Sequence, residues 1–264
     1  MTGRFSWPLK LRGRFMTERI WCIQKCRLFE QLSAADLSFL ESRARVRVFP
    51  RNTSVYFPSD SADSVFVLAE GRIRLYSITP DGKQAILAIV EPGELFGELA
   101  ILGNDERDEH AQAVGNSKVV ALPRDAVESV LLRNADVSLA ITKFVGFRRK
   151  KLERRLRNLL FRSNRERLVG LLCELLEQYG RRIDEGLLID IKLSHQDIAG
   201  LVGITRESVT LTLGELQFEK LISVGRQRIV VLCPDKLAQA AGEKTCQSQI
   251  PGKVTPIPRP APTW

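Results

Sequence analysis

The spacing of apolar and polar positions changes character twice along the chain. From about residue 28 to 43, Leu28, Phe29, Leu32, Leu37 and Leu40 recur at helical spacing, and Ser33 stands three residues before Asp36 in the manner of an N-cap. A short helix is predicted there. From 45 to 123 the period drops to two, with apolar or β-branched runs at 46–49, 55–57, 65–68, 73–78, 85–90 and 119–122. Pro50, Pro58-Ser59-Asp60, Glu70-Gly71, Pro80-Asp81-Gly82, Pro92-Gly93 and Gly115-Asn116 separate them. Short strands between closely spaced turns predict an antiparallel sandwich or barrel.

After Pro123 the pattern becomes helical: a short helix at 125–132, then a long one from about 136 to 161 with no Pro and one Gly. Val145, Leu152 and Leu159 repeat every seventh residue, and Ile141 and Leu156 adjoin them, which reads as a coiled-coil seam and predicts a second copy of the chain as partner. Packing on the chain's own β domain is the competing reading. Arg148 and Arg155 interrupt the seam, and the run 148–157 carries seven basic residues against Glu153 alone, read mainly as a solvated helix face. Residues 162–240 then show three helical patterns and a hairpin at 222–224 and 229–232.

The stretch Leu193 to Ser223 carries chemistry. Ser194 followed by Asp197 resembles a capping box, Ile198, Ala199 and Val202 form a buried face, and Gly203 permits a tight turn. Thr205 caps a second helix buried through Val209, Leu213 and Leu216. The expected geometry is a helix-turn-helix whose second helix enters the major groove of DNA. Arg206 can donate a bidentate pair to guanine and Glu207 can accept from the cytosine amino group. Ser194, His195, Gln196, Thr205, Ser208, Thr210 and Leu211 complete the expected surface, with Arg226 and Arg228 at the hairpin tip as phosphate contacts.

Composition adds a bias toward a polyanion. Forty Lys plus Arg against 31 Asp plus Glu leave +9. The N-terminal residues 1–20 are basic, with Pro8, Lys10, Arg12 and Arg14 breaking any signal-peptide core, and Met16 is a second candidate start. Pro251, Pro256, Pro258, Pro260 and Pro262 mark a disordered tail from 241. The expected organisation is therefore 1–20 extension, 21–133 β sensor domain, 134–161 dimer helix, 162–240 DNA-binding domain and 241–264 tail. No apolar run reaches the roughly 18 residues of a membrane span, so a cytoplasmic protein without a membrane partner is expected.

The segments GELFGELAIL (Gly93 to Leu102) and SHQDIAGLVGITRESV (Ser194 to Val209) resemble the Crp/Fnr family of bacterial transcription regulators over about residues 28–240. The resemblance implies an α+β fold: an N-terminal antiparallel β-roll (a double-stranded β-helix of the cyclic-nucleotide-binding type), a long dimerisation helix and a C-terminal winged helix-turn-helix. It also implies a homodimer on a pseudo-palindromic operator with half-sites roughly 34 Å apart, and RNA polymerase as onward partner. By the same resemblance Arg206 and Glu207 are base readers, and Ser194 and Gln196 phosphate contacts. Leu211 replaces a second base-reading Arg, so a different half-site is expected.

For the sensor, the resemblance places Gly97 and Glu98 at the ribose and Arg107 at the phosphate of a cyclic nucleotide, and Leu152 and Glu153 where adenine-binding hydroxyls stand. Asp108 and Glu109 follow Arg107, and a carboxylate beside a bound phosphate costs several kcal/mol in a poorly hydrated site. The expected input is therefore something other than cyclic AMP. A small anionic effector held by Arg107 and the basic helix is one alternative, and a purely structural GELFGELAIL turn is another. Cys22 and Cys26, with three residues between them, have no third cysteine nearby, and no metal, iron-sulfur or haem site is expected. No nucleophile-base pair or phosphate loop suggests an enzyme. The alternative to a DNA-binding regulator is a β-roll subunit that controls a protein partner.

Overall fold

The computed structural model describes residues 23–24 and 26–240. A 3-10 turn at Arg27–Phe29 leads to α1 (Ala34–Arg43), where Ser33 Oγ accepts from the Asp36 amide at 3.1 Å, as predicted for that cap. Eight strands follow: β1 (Arg45–Phe49), β2 (Ser54–Tyr56), β3 (Ser64–Glu70), β4 (Ile73–Ile78), β5 (Gln84–Val90), β6 (Leu95–Phe96), β7 (His110–Ala113) and β8 (Ser117–Pro123). They form two four-stranded sheets of order β1-β8-β3-β6 and β2-β7-β4-β5, with every pairing antiparallel. Apart from the β4–β5 hairpin, consecutive strands thus alternate between the two sheets, which makes this a β-roll.

Two cores lie on the two faces of the β1-β8-β3-β6 sheet. Phe66 and Leu68 of β3, with Val119 and Ala121 of β8, face the other sheet and meet Tyr56, Ile73, Leu75, Val90 and Phe96. Val65, Val67, Val120 and Leu122 point the other way into a helical layer containing Phe29, Leu40, Val127, Val130, Val137 and Ile141. Burial on both faces explains why β3 and β8 read as continuous apolar runs rather than strict alternations.

Beyond the sheets lie α2 (Arg124–Arg133) and the long helix α3 (Ala135–Phe161). The chain divides into two compact units between Glu153 and Arg154, inside α3. The second unit holds α4 (Asn164–Tyr179), β9 (Gly180–Ile183), β10 (Gly186–Ile189), α5 (His195–Val202), α6 (Arg206–Phe218), β11 (Ile222–Gly225), β12 (Arg228–Val231) and α7 (Pro234–Ala240). Its strands form one antiparallel sheet of order β11-β12-β10-β9. The predicted hairpin is therefore half of a four-stranded wing. Ser163 and Glu166 close a capping box on α4, whose Leu168, Leu172 and Leu176 are fully buried.

The long helix divides its apolar residues between two jobs. Ile141 is buried and Val145 is packed in the β-roll's own helical layer, whereas Leu152, Leu156 and Leu159 are about half exposed, at 50%, 58% and 47%. Own-domain packing thus accounts for the first part of the expected seam and leaves the second part uncovered. The basic run is mainly solvated, as expected, but not wholly: Arg148 is bound inside the β-roll unit, Arg155 is half-buried, and the exposed Arg154 pairs with Glu174 at 2.5 Å. The predicted N-terminal extension, the Pro-rich tail and Cys22 lie outside the described residues.

Candidate nucleic-acid interface and sensor cup

The helix-turn-helix is built from its caps inward. Ser194 Oγ accepts from the Asp197 amide at 3.1 Å, and Asp197 Oδ2 accepts from the Ser194 amide at 2.9 Å, so both ends of a capping box fix the start of α5. Gly203 ends the helix at φ +76°, and a Cβ there would stand 3.1 Å from Leu159 Cδ2. The backbone conformation and the close approach both favour glycine at this turn. Thr205 then caps α6 by accepting from the Ser208 amide at 3.2 Å. Ile198, Ala199, Val202, Val209, Leu213 and Leu216 are buried, which holds the two helices in fixed register.

This packing leaves a polar face. Gln196, Thr205, Arg206, Glu207, Thr210 and Leu211 are exposed, Leu211 at 67%, while Ser194, His195 and Ser208 are half-buried. Arg206 and Glu207 make no side-chain bond among the described residues. They stand on the first turn of α6, as the sequence predicts for base readers. One link joins the helices across this face: His195 Nδ1 lies 2.9 Å from Thr210 Oγ1. At the wing, Arg226 is exposed, but Arg228 pairs with Glu185 at 3.0 Å, so an internal carboxylate competes with any phosphate for that guanidinium.

The sensor presents the opposite arrangement. Gly97 adopts φ +68° and opens a 3-10 turn over Glu98–Leu102. A Cβ on Gly97 would lie 2.8 Å from Arg107 Nη1, which explains the glycine. Arg107 is 7% exposed; its Nη1 donates to Gly97 O at 3.0 Å, and its Nη2 donates to Ser64 O. Its guanidinium lies over the Tyr56 and Phe66 rings at 4.6 and 5.2 Å, and its Nε is buried without a partner. Burial pushes the Arg107 guanidinium below its ordinary pKa. The residue expected at a phosphate thus spends one donor on the turn that carries Gly97 and another on Ser64 of β3.

Glu98 and Glu109 complete the cup. Glu98 accepts from Arg148 Nη1 at 2.6 Å, and Arg148 Nη2 donates to Leu95 O at 3.0 Å. The Arg148 guanidinium also covers the Phe144 ring at 4.5 Å. Tyr56 Oη donates to Glu109 Oε1 at 3.0 Å. Burial pushes the Glu109 carboxyl above the ordinary carboxylate range; the Tyr56 hydrogen bond pulls it back, and the Glu98 charge raises it further. Sequence reasoning missed Arg148 as a sensor residue. Its signal was the interruption of the apolar seam, read as a flaw in the heptad rather than as a second task for that helix face.

The residues of this cup do not suit a cyclic nucleotide. The candidate phosphate ligand is committed to main-chain carbonyls, and Glu98 is paired with Arg148. Two carboxylates also lie among the same side chains. Cys26 is no better suited to a metal, because burial pushes its thiol up to about 11 and disfavours the thiolate a metal needs. Among the described residues no cluster of potential metal ligands is found, and no helix is long and apolar enough to cross a membrane.

Comparison with known proteins agrees with this division. Residues 46–134 match the cyclic nucleotide-binding domain model, and residues 166–240 match the Crp-like helix-turn-helix domain model. The chain is 32% identical to the global nitrogen regulator of Nostoc sp. over 74% of its own length and 88% of that protein. Identity to the global nitrogen regulator of Synechocystis sp. is also 32%, over 74% and 87%. A solved CooA mutant from Carboxydothermus hydrogenoformans superposes with a TM-score of 0.68 at 21% identity, covering 80% of this chain and 91% of that one, which is a likeness of fold. With its β-roll, its helix-turn-helix and these relatives, the chain belongs to the Crp/Fnr family of transcription regulators, not to an enzyme family.

Proposed function

We propose that two copies of this chain bind a pseudo-palindromic operator as a cytoplasmic homodimer and pass the signal on to RNA polymerase. The observation that carries this reading is the first turn of α6, where Arg206 and Glu207 are exposed and unpaired beside a face made rigid by three caps. Arg206 reads guanine through O6 and N7, and Glu207 reads the cytosine amino group. Ser194, His195, Gln196, Thr205, Ser208 and Arg226 face phosphate; Thr210 and Leu211 line the groove. Arg228 joins them on release from Glu185. The half-exposed Leu152, Leu156 and Leu159 supply the dimer seam, and Ile141 and Val145 support its base from the β-roll side.

The β-roll takes an effector other than cyclic AMP. A small carboxylate-bearing anion suits the cup, because it can compete with Glu98 for Arg148 and so act on the dimer helix through the residue that ties it to the sensor. Gly97 and Arg107 frame that site. The test has two arms. Selection of bound duplexes from a random pool should enrich an inverted repeat with half-sites roughly one helical turn apart; enrichment of no sequence would reject the DNA reading and leave a β-roll that serves a protein partner. Calorimetric titration with cyclic AMP, cyclic GMP and 2-oxoglutarate addresses the input. Heat from the dicarboxylate that disappears in Arg148→Ala supports the effector assignment, and binding of cyclic AMP overturns it.

A further inference from the structure

We infer that Leu211 is a specificity-determining residue, which selects a thymine through its C5 methyl group one or two base steps from the G·C pair taken by Arg206 and Glu207. This rests on the reading of the α5–α6 face as the DNA interface.

The outward face of α6 changes chemistry after its first turn. Arg206 and Glu207 are charged and make no side-chain bond among the described residues. No Lys, Arg or His follows Arg206 within the helix. One turn on, Thr210, Leu211 and Gly214 are exposed, while Val209, Thr212 and Leu213 are buried. Thr210 Oγ1 lies 3.0 Å from Arg206 O and 2.9 Å from His195 Nδ1. A hydroxyl has one proton, and with two partners inside the protein that proton is spent there. Gly214 brings no side chain. Leu211 is apolar and 67% exposed. The second turn of α6 therefore offers a base edge no side-chain donor, and its one large contact surface is a hydrocarbon.

Helical geometry brings that surface to the bases. Glu207 and Leu211 are four residues apart and share a face, with an axial rise of about 6 Å between them. Base pairs stack at about 3.4 Å, so a first turn seated on one G·C pair carries the second turn over the next one or two steps. Base edges in the major groove differ in what they ask of a leucine. Guanine, adenine and cytosine present donors and acceptors, and thymine alone adds a methyl group. Leucine pressed against a cytosine amino group or against guanine N7 and O6 excludes water and supplies no partner, which costs the desolvation of those groups. Against a thymine methyl it removes apolar surface of both molecules from water. The same side chain thus favours one base and penalises the others.

The fold holds Leu211 where this matters. Val209 and Leu213 on either side of it are 0% and 2% exposed, which fixes the rotation of α6 about its axis. Thr205 caps the helix start at 3.2 Å, and the His195 contact of the adjoining Thr210 ties the second turn to α5. A leucine that merely stands on the surface is the competing reading, since single exposed apolar residues are ordinary. That reading predicts no effect of a methyl group in the DNA.

The test uses the full chain and a duplex selected from a random pool by the wild-type protein. The selected half-site should hold a thymine one or two steps from the base pair at which Arg206→Ala relaxes selectivity. Deoxyuridine in its place keeps the pairing and every polar atom and removes the methyl alone. Affinity should fall by about fourfold for one half-site and about fifteenfold for both, as expected for one buried methyl-sized group in each. Leu211→Ala should bind the thymine and deoxyuridine duplexes alike, and Leu211→Met, which keeps the apolar reach, should restore the difference. The melting temperature of Leu211→Ala should match the wild type, which separates a lost contact from a lost fold. A half-site without that thymine, equal wild-type affinity for the two duplexes, or a preference that survives in Leu211→Ala overturns the inference while leaving DNA recognition intact. Enrichment of no sequence from the pool overturns the DNA reading itself, and the inference with it.

Discussion

Two sites, one in each unit, treat their arginines in opposite ways. On α6, Arg206 is exposed and unpaired, and its whole hydrogen-bonding capacity faces outward. In the β-roll, Arg107 and Arg148 are turned inward, onto Gly97 O, Ser64 O, Leu95 O and Glu98. A guanidinium offers five donors in a fixed fork, and each unit spends them according to what surrounds it. The helical hairpin is held by its caps, its apolar contacts, the His195–Thr210 link and the Arg165 pairs with Glu215 and Glu219 at the C-terminal end of α6, which leaves the charges of the first turn of α6 free for a ligand. The β-roll uses charge as internal structure, and any effector there competes with the protein's own groups.

The comparison breaks most visibly at Arg206. Arg206→Ala removes a bidentate base contact from each half-site and should cost about 1–3 kcal/mol per half-site. Selectivity at that base should relax, and the melting temperature should stay unchanged; titration of matched and singly substituted duplexes measures the first and a thermal scan the second. The inward-facing charge should behave in the reverse sense. Glu98→Ala leaves Arg148 without its carboxylate where the pair's side chains are only 9% and 23% exposed. Loss of a largely buried partner should destabilise the sensor by on the order of 2–3 kcal/mol, below the range for fully buried pairs because Arg148 keeps some solvent. Urea unfolding would show this, with selectivity for the selected duplex retained.

Smaller effects sharpen the same contrast. Gly214 lies exposed inside α6, and a Cβ added there would meet nothing within 4 Å, so Gly214→Ala should raise stability by about 0.5–1 kcal/mol through helix propensity alone. In the sensor, Glu109 has its native pKa raised by burial. Between its ordinary value and the raised one the folded protein holds the extra proton, so this group makes stability fall as pH rises through that window. Glu109→Gln can still accept from Tyr56 Oη, and it should flatten that slope and stabilise the protein at neutral pH. Urea midpoints measured from pH 4 to pH 8 would decide it; an unchanged slope would remove Glu109 from the account.

How much was legible follows the same physical division. Caps and apolar periodicity are local signals, and they located α1, α3, α5 and α6 as well as β1 to β5 and β8. β7 was missed because its inward residues, Ala111 and Ala113, are small and give no apolar run, and β6 because it has only two residues. β9 and β10 escaped because Arg181-Arg182 and the turn glycine interrupt their pattern; β9 pairs with β10, and β10 joins the sheet by pairing with β12. Pro234 at the first position of α7 was a helix-start signal left unread. On the DNA face, the exposed reader residues follow from sequence spacing. The Glu98–Arg148 pair spans 50 positions and the Arg107–Ser64 contact 43, and no local pattern foretells which partner a buried arginine finds.

The central claim, that two copies of the α6 first turn read two half-sites together, is tested most directly by spacing. Affinity for the selected inverted repeat should be compared with affinity for the same duplex carrying about five extra base pairs between its half-sites, which turns one half-site to the opposite side of the helix. The account predicts that the lengthened duplex loses selective binding and falls to the level of random DNA. Equal affinity for the two duplexes would contradict it.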